Sequence, residues 1–289
     1  MKLIRDPKKL TQILAVLRAR GKRIGFVPTM GALHEGHLSL VRASKRENDV
    51  TVVSIFVNPT QFGPKEDLGK YPRPIRRDSN LLSAAKVDFV LMPSVGTMYP
   101  EGLAKPLKSE SAKWPRLARG LCGKFRPGHF RGVVTVVAKF LKITGPCRLY
   151  LGAKDYQQTV VIRQMIEDFG FEIPMRILPT VREKDRLAMS SRNRYLSPDE
   201  RQRALAISRV LMRLRRDLLK KKANIHVLKA RAVQALQKNV DRVQYLDVVD
   251  AVTLMPGRRQ GRKSVALAAC FVGKTRLIDN VIIPPSRIS

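Results

Sequence analysis

The sequence predicts an α/β fold, in which a doubly wound parallel sheet is followed by a smaller α+β domain. Short apolar segments alternate with amphipathic segments through the first two thirds of the 289 residues. This alternation is typical of a parallel sheet with helices on both faces. The last third contains two long basic amphipathic segments and then three apolar runs, which is the order of a helix pair followed by an antiparallel sheet.

The predicted strands of the parallel sheet are short and rich in β-branched residues. The clearest is 50–57 (VTVVSIFV), which is apolar enough to be buried on both faces. The other predicted strands are 24–27, 87–92, 149–151 and 173–178, and the predicted helices are 36–47, 132–144 and 155–169. Ligands of such Rossmann-like sheets bind beyond the carboxyl ends of the strands. Polar motifs at those ends are therefore the candidate site.

The pattern changes from Pro198 onward. Residues 199–222 and 225–239 are predicted to be helices. Residues 243–250, 265–272 and 277–283 are predicted to be strands, with a tight turn at Gly273-Lys274-Thr275. We therefore expect two domains, a Rossmann-like domain over residues 1–181 and a C-terminal α+β lid domain over residues 182–289.

Cysteine content and hydropathy exclude several classes of protein. The three cysteines, Cys122, Cys147 and Cys270, are far apart and form no CxxC pair, which argues against a disulfide framework or a structural zinc site. No apolar run reaches the ~18 residues that a membrane helix needs. The first 20 residues mix charged and apolar side chains, unlike a signal peptide. The sequence predicts a cytoplasmic protein with no membrane partner.

The net charge is unusual for any class. It is +33, from 56 Lys and Arg against 23 Asp and Glu. The excess divides evenly, with +17 over residues 1–180 and +16 over residues 181–289, whereas a dedicated nucleic-acid surface concentrates charge on one face. We expect binding to nucleic acid to be non-specific at most and driven by counterion release.

The four histidines include a pair in the motif His34-Glu35-Gly36-His37, directly after a predicted strand and at a predicted helix start. A helix N-terminus offers free N–H groups and partial positive charge to a phosphate. Histidines three residues apart lie on one side of a turn, where both can donate hydrogen bonds to charge that builds on a phosphate. The competing interpretations are a zinc pair, although such histidines are usually four residues apart, and buried structural histidines.

A second polar segment is Met189-Ser190-Ser191-Arg192, which continues as Asn193-Arg194-Tyr195. Hydroxyls beside a guanidinium suit a triphosphate, because arginine binds phosphate through two parallel hydrogen bonds. Alone, such a segment is more often an ordinary turn. Together with the strand–HxGH–helix unit, it resembles the signature pair of the nucleotidyltransferases shared with class I aminoacyl-tRNA synthetases, in which the two elements enclose ATP.

Longer motifs make the resemblance specific and extend it over essentially the whole chain. Residues 26–41 (FVPTMGALHEGHLSLV) and 54–62 (SIFVNPTQF) are similar, almost letter for letter, to motifs of the pantothenate synthetase family. Further segments follow in the order of that family: 71–73 (YPR), 126–133 (RPGHFRGV), 154–158 (KDYQQ), 179–183 (PTVRE), 189–195 (MSSRNRY) and 275–280 (TRLIDN).

This resemblance implies an AMP-forming acid–amine ligase of coenzyme A biosynthesis. In the family, pantoate attacks the α-phosphorus of ATP, which gives pantoyl-adenylate and pyrophosphate. β-Alanine then displaces AMP and yields pantothenate. The resemblance also implies Mg²⁺ with the ATP and a homodimer. Pantoate, β-alanine and ATP are the expected small-molecule partners.

Site residues follow from the resemblance, motif by motif. ATP is expected to contact Met30, Gly31, Ala32, Leu33, His34, Glu35, Gly36, His37, Gly152, Ala153, Lys154, Asp155, Val181, Met189, Ser190, Ser191 and Arg192. The catalytic side chains among them are His34, His37, Lys154 and Arg192, with His37 as proton donor and the two cations neutralising phosphate charge.

Two glutamines and one carboxylate complete the expected site. Gln61 is expected to bind pantoate and β-alanine, and Gln158 to bind pantoate, because an amide can donate to a carboxylate and accept from a hydroxyl. Asp78 is a candidate metal-linked group. The sequence departs from the family at Ala153, usually Glu or Gln, and at Arg186, usually Gly. The glycine replacement is expected to stiffen that segment or to change its backbone preference.

Two other functions compete with this interpretation. One is an adenylyl-transferring enzyme of the same fold that uses nicotinamide mononucleotide or phosphopantetheine, which leaves Gln61 and Gln158 unexplained. The other is a basic nucleic-acid-binding scaffold without activity. The presence of His34, His37, Lys154 and Arg192 argues against that scaffold.

Overall fold

The computed structural model describes residues 1–64, 66–103, 112–220, 224–257 and 261–285. The chain divides into two compact units. Unit 1 comprises residues 1–153 and 161–179, and unit 2 comprises residues 154–160 and 180–289. The domain limits expected from the sequence, 1–181 and 182–289, remain a proposal.

Unit 1 is built on a six-stranded parallel sheet. Its strands are β1 (Lys2–Ile4), β2 (Ile24–Thr29), β3 (Val50–Ile55), β4 (Phe89–Leu91), β5 (Arg148–Gly152) and β6 (Met175–Leu178). They lie in the order β1-β4-β3-β2-β5-β6, and every neighbouring pair is parallel. In the sheet, β3, β4 and β1 lie on one side of β2, and β5 and β6 lie on the other side. The carboxyl ends of β2 and β5 therefore flank the switch point at which such sheets bind ligands.

The helices of unit 1 follow the strands as a doubly wound fold requires. They are α1 (Pro7–Ala19), α2 (Glu35–Glu47), α3 (Ile75–Ala84), α4 (Val95–Met98), α5 (Trp114–Leu117), α6 (Cys122–Phe125) and α7 (His129–Thr144), followed by α8 (Tyr156–Asp168), which includes residues of both units. All six residues of β3 are buried, as its apolar sequence predicts. α2 packs Leu40 and Val41 into the same cluster as Val27 and Val53.

Unit 2 contains two helices and a three-stranded antiparallel sheet. The helices are α9 (Pro198–Leu218) and α10 (Ile225–Gln237), and the strands are β7 (Arg242–Asp250), β8 (Ser264–Val272) and β9 (Thr275–Ile283) in the order β7-β8-β9. Val272 pairs with Thr275, so Gly273 and Lys274 form a two-residue hairpin. The helices pack Leu211, Leu214 and Leu236 onto Val248 and Ala268 of the sheet.

The predicted fold class is confirmed: a parallel α/β sheet is joined to a smaller unit with an antiparallel sheet. The predicted strands and helices are present with ends shifted by a few residues. Residues 221 and 222, the end of the predicted helix 199–222, lie outside the described residues. The sequence did not predict the strand β1 or the helices α1, α3, α4, α5 and α6.

Candidate active site

The HxGH motif lies where β2 ends and α2 begins. Residues 30–33 connect the two elements, and His34 is the N-cap of α2. The Thr29 hydroxyl donates to the carbonyl of Ser54 (2.6 Å) and accepts from the N–H of Gly31 (3.1 Å). Gly31 has φ +77°, and a Cβ there would lie 3.0 Å from the Ile55 side chain. A larger residue at position 31 would therefore strain the connection.

Asp78 holds the same connection from the other side. This carboxylate is only 1% exposed. Its Oδ2 accepts from the N–H of Ala32 (2.7 Å) and its Oδ1 from the N–H of Leu33 (2.8 Å). Hydrogen bonds to an ionised group are about twice as strong as neutral ones. They hold Ala32 at φ +51°, in the left-handed region that a residue with a side chain rarely adopts. Asp78 thus fixes the backbone that precedes His34, and its metal-linked role remains a prediction.

The two motif histidines lie side by side. Their ring centroids are 4.1 Å apart, as the three-residue spacing predicts. The N–H of His34 donates to Nδ1 of His37 (3.3 Å). An imidazole that accepts at Nδ1 carries its proton on Nε2. His37 is therefore oriented with Nε2–H as a hydrogen-bond donor, which is the state that a proton donor to a phosphate needs.

Gln61 lies beside the HxGH connection. It ends a short 3-10 helix, Pro59–Gln61, that follows β3. Its Nε2 donates to the sulfur of Met30 (2.8 Å), and its Oε1 accepts from Nδ2 of the buried Asn58 (3.2 Å). The structure thus brings together a predicted ATP-binding residue and the predicted binder of pantoate and β-alanine.

The segment that carries Gln61 is held by two side chains that the sequence analysis did not select. Nε2 of His129 accepts from Nη1 of Arg126 (3.0 Å), so its proton lies on Nδ1, which donates to the Gln61 carbonyl (2.8 Å). Arg126 donates to the same carbonyl (3.3 Å). Both belong to the RPGHFRG motif, which was the available signal. A Cβ on Gly132 of this motif would lie 2.3 Å from the carbonyl oxygen of Thr60, so glycine permits the close approach.

An ion pair anchors Arg126 in turn. Its Nε and Nη2 donate to the two oxygens of Glu66 at 2.7 and 2.5 Å. Burial disfavours the ionised carboxyl, but the Arg126 guanidinium outweighs burial, and the pKa of Glu66 is lowered. The pair therefore remains ionised at neutral pH and keeps the Arg126 fork directed at the Gln61 segment.

In unit 2, the turn that carries Lys154 is tied to the last strand. The Lys154 carbonyl accepts from Nδ2 of Asn280 (2.8 Å), which is 4% exposed. The Lys154 ammonium lies 3.5 Å from Oδ1 of Asp155. The hydrogen bond from Asn280 gives the last residue of the TRLIDN motif a structural role, because it fixes the backbone of the predicted phosphate-binding Lys154.

The Ser-Ser-Arg loop is also held from within unit 2. The N–H of Met189 donates to the carbonyl of Val181 (3.0 Å), which brings two predicted ATP contacts together. The Ser190 hydroxyl accepts from the N–H of Arg192 (3.3 Å) and caps the 3-10 helix Ser191–Tyr195. Asn193 donates to the carbonyl of Ala188 (3.0 Å). These hydrogen bonds fix the backbone of the loop.

Arg186 lies in the tight turn before this loop. Its N–H donates to the carbonyl of Glu183 (2.8 Å), and the N–H of Glu183 donates to the carbonyl of Leu187 (2.8 Å). Arg186 adopts φ +73°. This is the turn in which a left-handed residue, usually glycine, follows a type I turn. The arginine thus occupies a backbone conformation that costs a side-chain-bearing residue ~1–2 kcal/mol.

We expect Arg186→Gly to raise the free energy of unfolding by about 0.5–1 kcal/mol, because relief of the left-handed strain exceeds the added entropy of glycine in the unfolded chain. Urea denaturation measures the change. Lys184→Gly is the matched control in the same turn and should lower the stability slightly. An Arg186→Gly protein no more stable than the control would contradict the strain argument.

The predicted site residues thus form two groups, one in each unit. In unit 1, the group comprises residues 30–37 with Gln61 and Asp78, and Gly152 and Ala153 follow the end of β5. In unit 2, it comprises Lys154, Asp155, Gln158, Val181, Met189, Ser190, Ser191 and Arg192. Ala153 is buried.

Among the described residues, no group of three or more His, Cys, Asp or Glu side chains is arranged so that it could hold a metal ion. Within the same residues, no helix combines the length and hydropathy needed to cross a membrane.

Comparison with known proteins gives consistent matches over the full length. The family described as pantoate-beta-alanine ligase matches residues 2–282. A protein of a Sulfurihydrogenibium species named pantothenate synthetase is 46% identical over 283 residues, which is 97% of this chain and 99% of that protein. Pantothenate synthetase 1 of Bradyrhizobium diazoefficiens is 50% identical over 285 residues, 98% of each chain.

Solved structures agree with these relatives. A crystal structure of pantothenate synthetase from Thermus thermophilus superposes with a TM-score of 0.89 at 41% identity and covers 99% of this chain and 100% of that chain. A pantoate-beta-alanine ligase from Francisella tularensis, described as complexed with beta-gamma ATP and beta-alanine, has a TM-score of 0.79 at 36% identity. That match covers 98% of this chain and 97% of the Francisella chain.

Proposed function

The chain belongs to the pantoate-beta-alanine ligase family, and we propose on this basis that it condenses pantoate with β-alanine at the expense of ATP. It is an AMP-forming ligase that produces pantothenate. The observation that carries this conclusion is the HxGH connection with His37 oriented as a donor and Gln61 against Met30. The complex of the Francisella relative with an ATP compound and β-alanine supports the same substrates.

The first chemical step forms an acyl-adenylate. A carboxylate oxygen of pantoate forms a bond to the α-phosphorus of ATP, and the bond from that phosphorus to the bridging oxygen of pyrophosphate breaks. Negative charge builds on the phosphate oxygens as this happens. His37 would donate from Nε2 to these oxygens, and Lys154 and Arg192 would neutralise the charge that moves onto the leaving pyrophosphate.

The second step transfers the acyl group. The neutral amine of β-alanine attacks the carbonyl carbon of the adenylate, the C–N bond forms, and the bond to AMP breaks. The amine proton leaves to solvent. We assign to Gln61 the positioning of both reactants, since its amide can serve a carboxylate and a hydroxyl, and its backbone is fixed by Arg126 and His129.

We propose that Mg²⁺ enters the site bound to the phosphates of ATP. Both oxygens of Asp78 accept backbone hydrogen bonds, and the described residues contain no three-ligand cluster. The part of the chain that the structure describes therefore offers no ligand set for a metal held by the protein alone. Magnesium commonly binds through nucleotide phosphates with few protein carboxylates, so we derive no step through a protein-held ion. The family resemblance also supports a cytoplasmic homodimer.

The function is tested by product formation. Purified protein with pantoate, β-alanine and ATP should release pantothenate and AMP in equal amounts, measured by mass spectrometry and a coupled AMP assay. Omission of any one substrate should abolish both products. Adenylyl transfer to nicotinamide mononucleotide or phosphopantetheine, with no pantothenate formed, would overturn the proposal.

Gln158→Ala should raise the KM for pantoate about tenfold and leave the KM for ATP nearly unchanged. A buried polar group left without its partner costs ~1–3 kcal/mol, and this cost falls on the substrate that the amide binds. Steady-state kinetics with each substrate varied in turn gives both constants.

The matched control for this variant is Gln164→Ala. Gln164 lies on the same helix α8, donates to Glu167 and Asp168, and is not one of the predicted site residues. It should leave both constants unchanged. Equal increases in the two KM values for Gln158→Ala would assign the glutamine to another role.

A further inference from the structure

Residues 201–240 hold a large share of the positive charge of the chain. Residues 201–240 contain 12 Lys and Arg and a single acidic residue, Asp217. These 40 residues therefore carry +11 of the net charge of +33. The net charge divides evenly between residues 1–180 and 181–289, but within the second part most of it falls in residues 201–240.

Four of these cations form one line along the exposed face of α9. Arg209, Arg213, Arg216 and Lys220 lie at or just beyond the helix at spacings of four, three and four residues, which places them on one face. All four are exposed, whereas Leu211, Leu214 and Leu218 are buried against the sheet. At a rise of 1.5 Å per residue, this α9 basic stripe is ~16 Å long.

Little acidic charge opposes the stripe. Asp217 is the acidic residue within it, and its carboxylate lies 3.8 Å from Arg213, 3.7 Å from Arg216 and 3.0 Å from Lys220. The Arg213 and Arg216 side chains are 77% and 70% exposed. Ion pairs so exposed contribute little and exchange readily. The stripe therefore keeps a net charge of about +3 that can be directed at a ligand.

Other cations of the same segment are already engaged. Arg201 pairs with Glu183 and Asp185, and Lys229 pairs with Asp247. The carboxylates in these pairs, Glu183, Asp185 and Asp247, belong to unit 2 as well. The stripe differs from these pairs because its four cations are aligned and exposed, and three of them share the single carboxylate of Asp217.

We propose that the α9 basic stripe binds the phosphate backbone of nucleic acid without reading its sequence. One strand of B-DNA presents a phosphate every ~3.4 Å along the axis, so about five phosphates span the stripe. Three of the four cations are arginines, whose planar forks match phosphate oxygens. Residues 201–240 contain no Phe, Tyr or Trp, so this segment has no aromatic platform for stacked bases. This binding is separate from the ligase function.

The test neutralises the stripe while leaving the core of α9 intact. The quadruple variant Arg209→Gln, Arg213→Gln, Arg216→Gln and Lys220→Gln is compared with wild type by fluorescence anisotropy. Two unrelated 20-base-pair duplexes are titrated from 20 to 200 mM NaCl. Each lost phosphate contact lowers the slope of log Kobs against log salt by ~0.9. We expect the slope to fall by about 3–4, equally for both duplexes.

The control variant removes the same charge elsewhere: Lys8→Gln, Lys9→Gln, Arg20→Gln and Lys22→Gln, all exposed in unit 1. Its slope should fall by less than one. Unchanged ligase turnover shows that each variant is folded. If the quadruple stripe variant misfolds, Arg209→Gln with Arg213→Gln should lower the slope by about two. Equal losses in stripe and control variants would overturn the proposal, as would binding of wild type to phosphatidylserine vesicles but not to duplex at the same salt.

Discussion

His37→Ala should lower kcat about 10²–10³-fold and leave the KM for ATP close to the wild-type value. The N–H of His34 fixes the proton of His37 on Nε2, so the side chain is oriented to donate to charge that builds on the phosphate during the reaction. A donor that acts on transition-state charge contributes to kcat far more than to ground-state binding, and loss of one such donor typically costs this much.

Two further variants separate the two hydrogen bonds of His37, which donates from Nε2 and accepts from the His34 N–H at Nδ1. His37→Gln keeps an amide that can reach the Nε2 position and should recover part of the lost rate. His37→Asn places its amide near the Nδ1 position, where its oxygen can accept from the His34 N–H, but no donor then reaches the Nε2 position. This variant should remain as slow as the alanine variant. His226→Ala, an exposed histidine on α10, is the control and should behave as wild type. A folded His37→Ala protein with near-normal kcat would contradict the assignment.

Asp78→Asn should lower the free energy of unfolding by about 2–3 kcal/mol and kcat/KM for ATP by roughly 10- to 100-fold. The two carboxylate oxygens accept from the N–H groups of Ala32 and Leu33. An amide replaces one acceptor by a donor that faces another donor, so a buried charge-assisted hydrogen bond is lost. The backbone before His34 is then released, and a displacement of ~1 Å in a reacting geometry can cost 10²-fold in rate.

Asp88→Asn is the matched control for this substitution. Asp88 accepts from the N–H of Thr51 and from Lys45, but it is half-buried and supports no part of the HxGH connection. Its replacement should lower stability modestly and leave kcat/KM unchanged. Denaturation and steady-state kinetics measure both quantities. Full activity of Asp78→Asn would show that the connection keeps its geometry without the carboxylate.

Local sequence pattern was sufficient for most of the fold. The runs that became β3 and β8 are apolar throughout, and the structure buries every residue of β3 and all but one of β8. The strand β1 has three residues and one buried side chain, too short for a periodic signal. The helix α3 follows Pro74 and buries only Asp78 and Leu82, so hydrophobic periodicity could not reveal it.

The candidate site was predictable where motifs are contiguous and not where contacts are distant in sequence. The HxGH motif and the Ser-Ser-Arg loop are read directly from the chain. The hydrogen bonds from Arg126 and His129 to the Gln61 carbonyl join positions more than 60 residues apart, and no local pattern indicates them. The same holds for Asn280, which fixes the Lys154 backbone from β9.

The central claim is that the chain activates pantoate as an adenylate before the amine reacts. The most direct test is exchange of labelled pyrophosphate into ATP, measured with pantoate present and β-alanine absent. Reversal of the first step should then incorporate label, and omission of pantoate should abolish the exchange. Exchange that strictly requires β-alanine, from an enzyme that still forms pantothenate, would contradict a free adenylate intermediate and the two-step account.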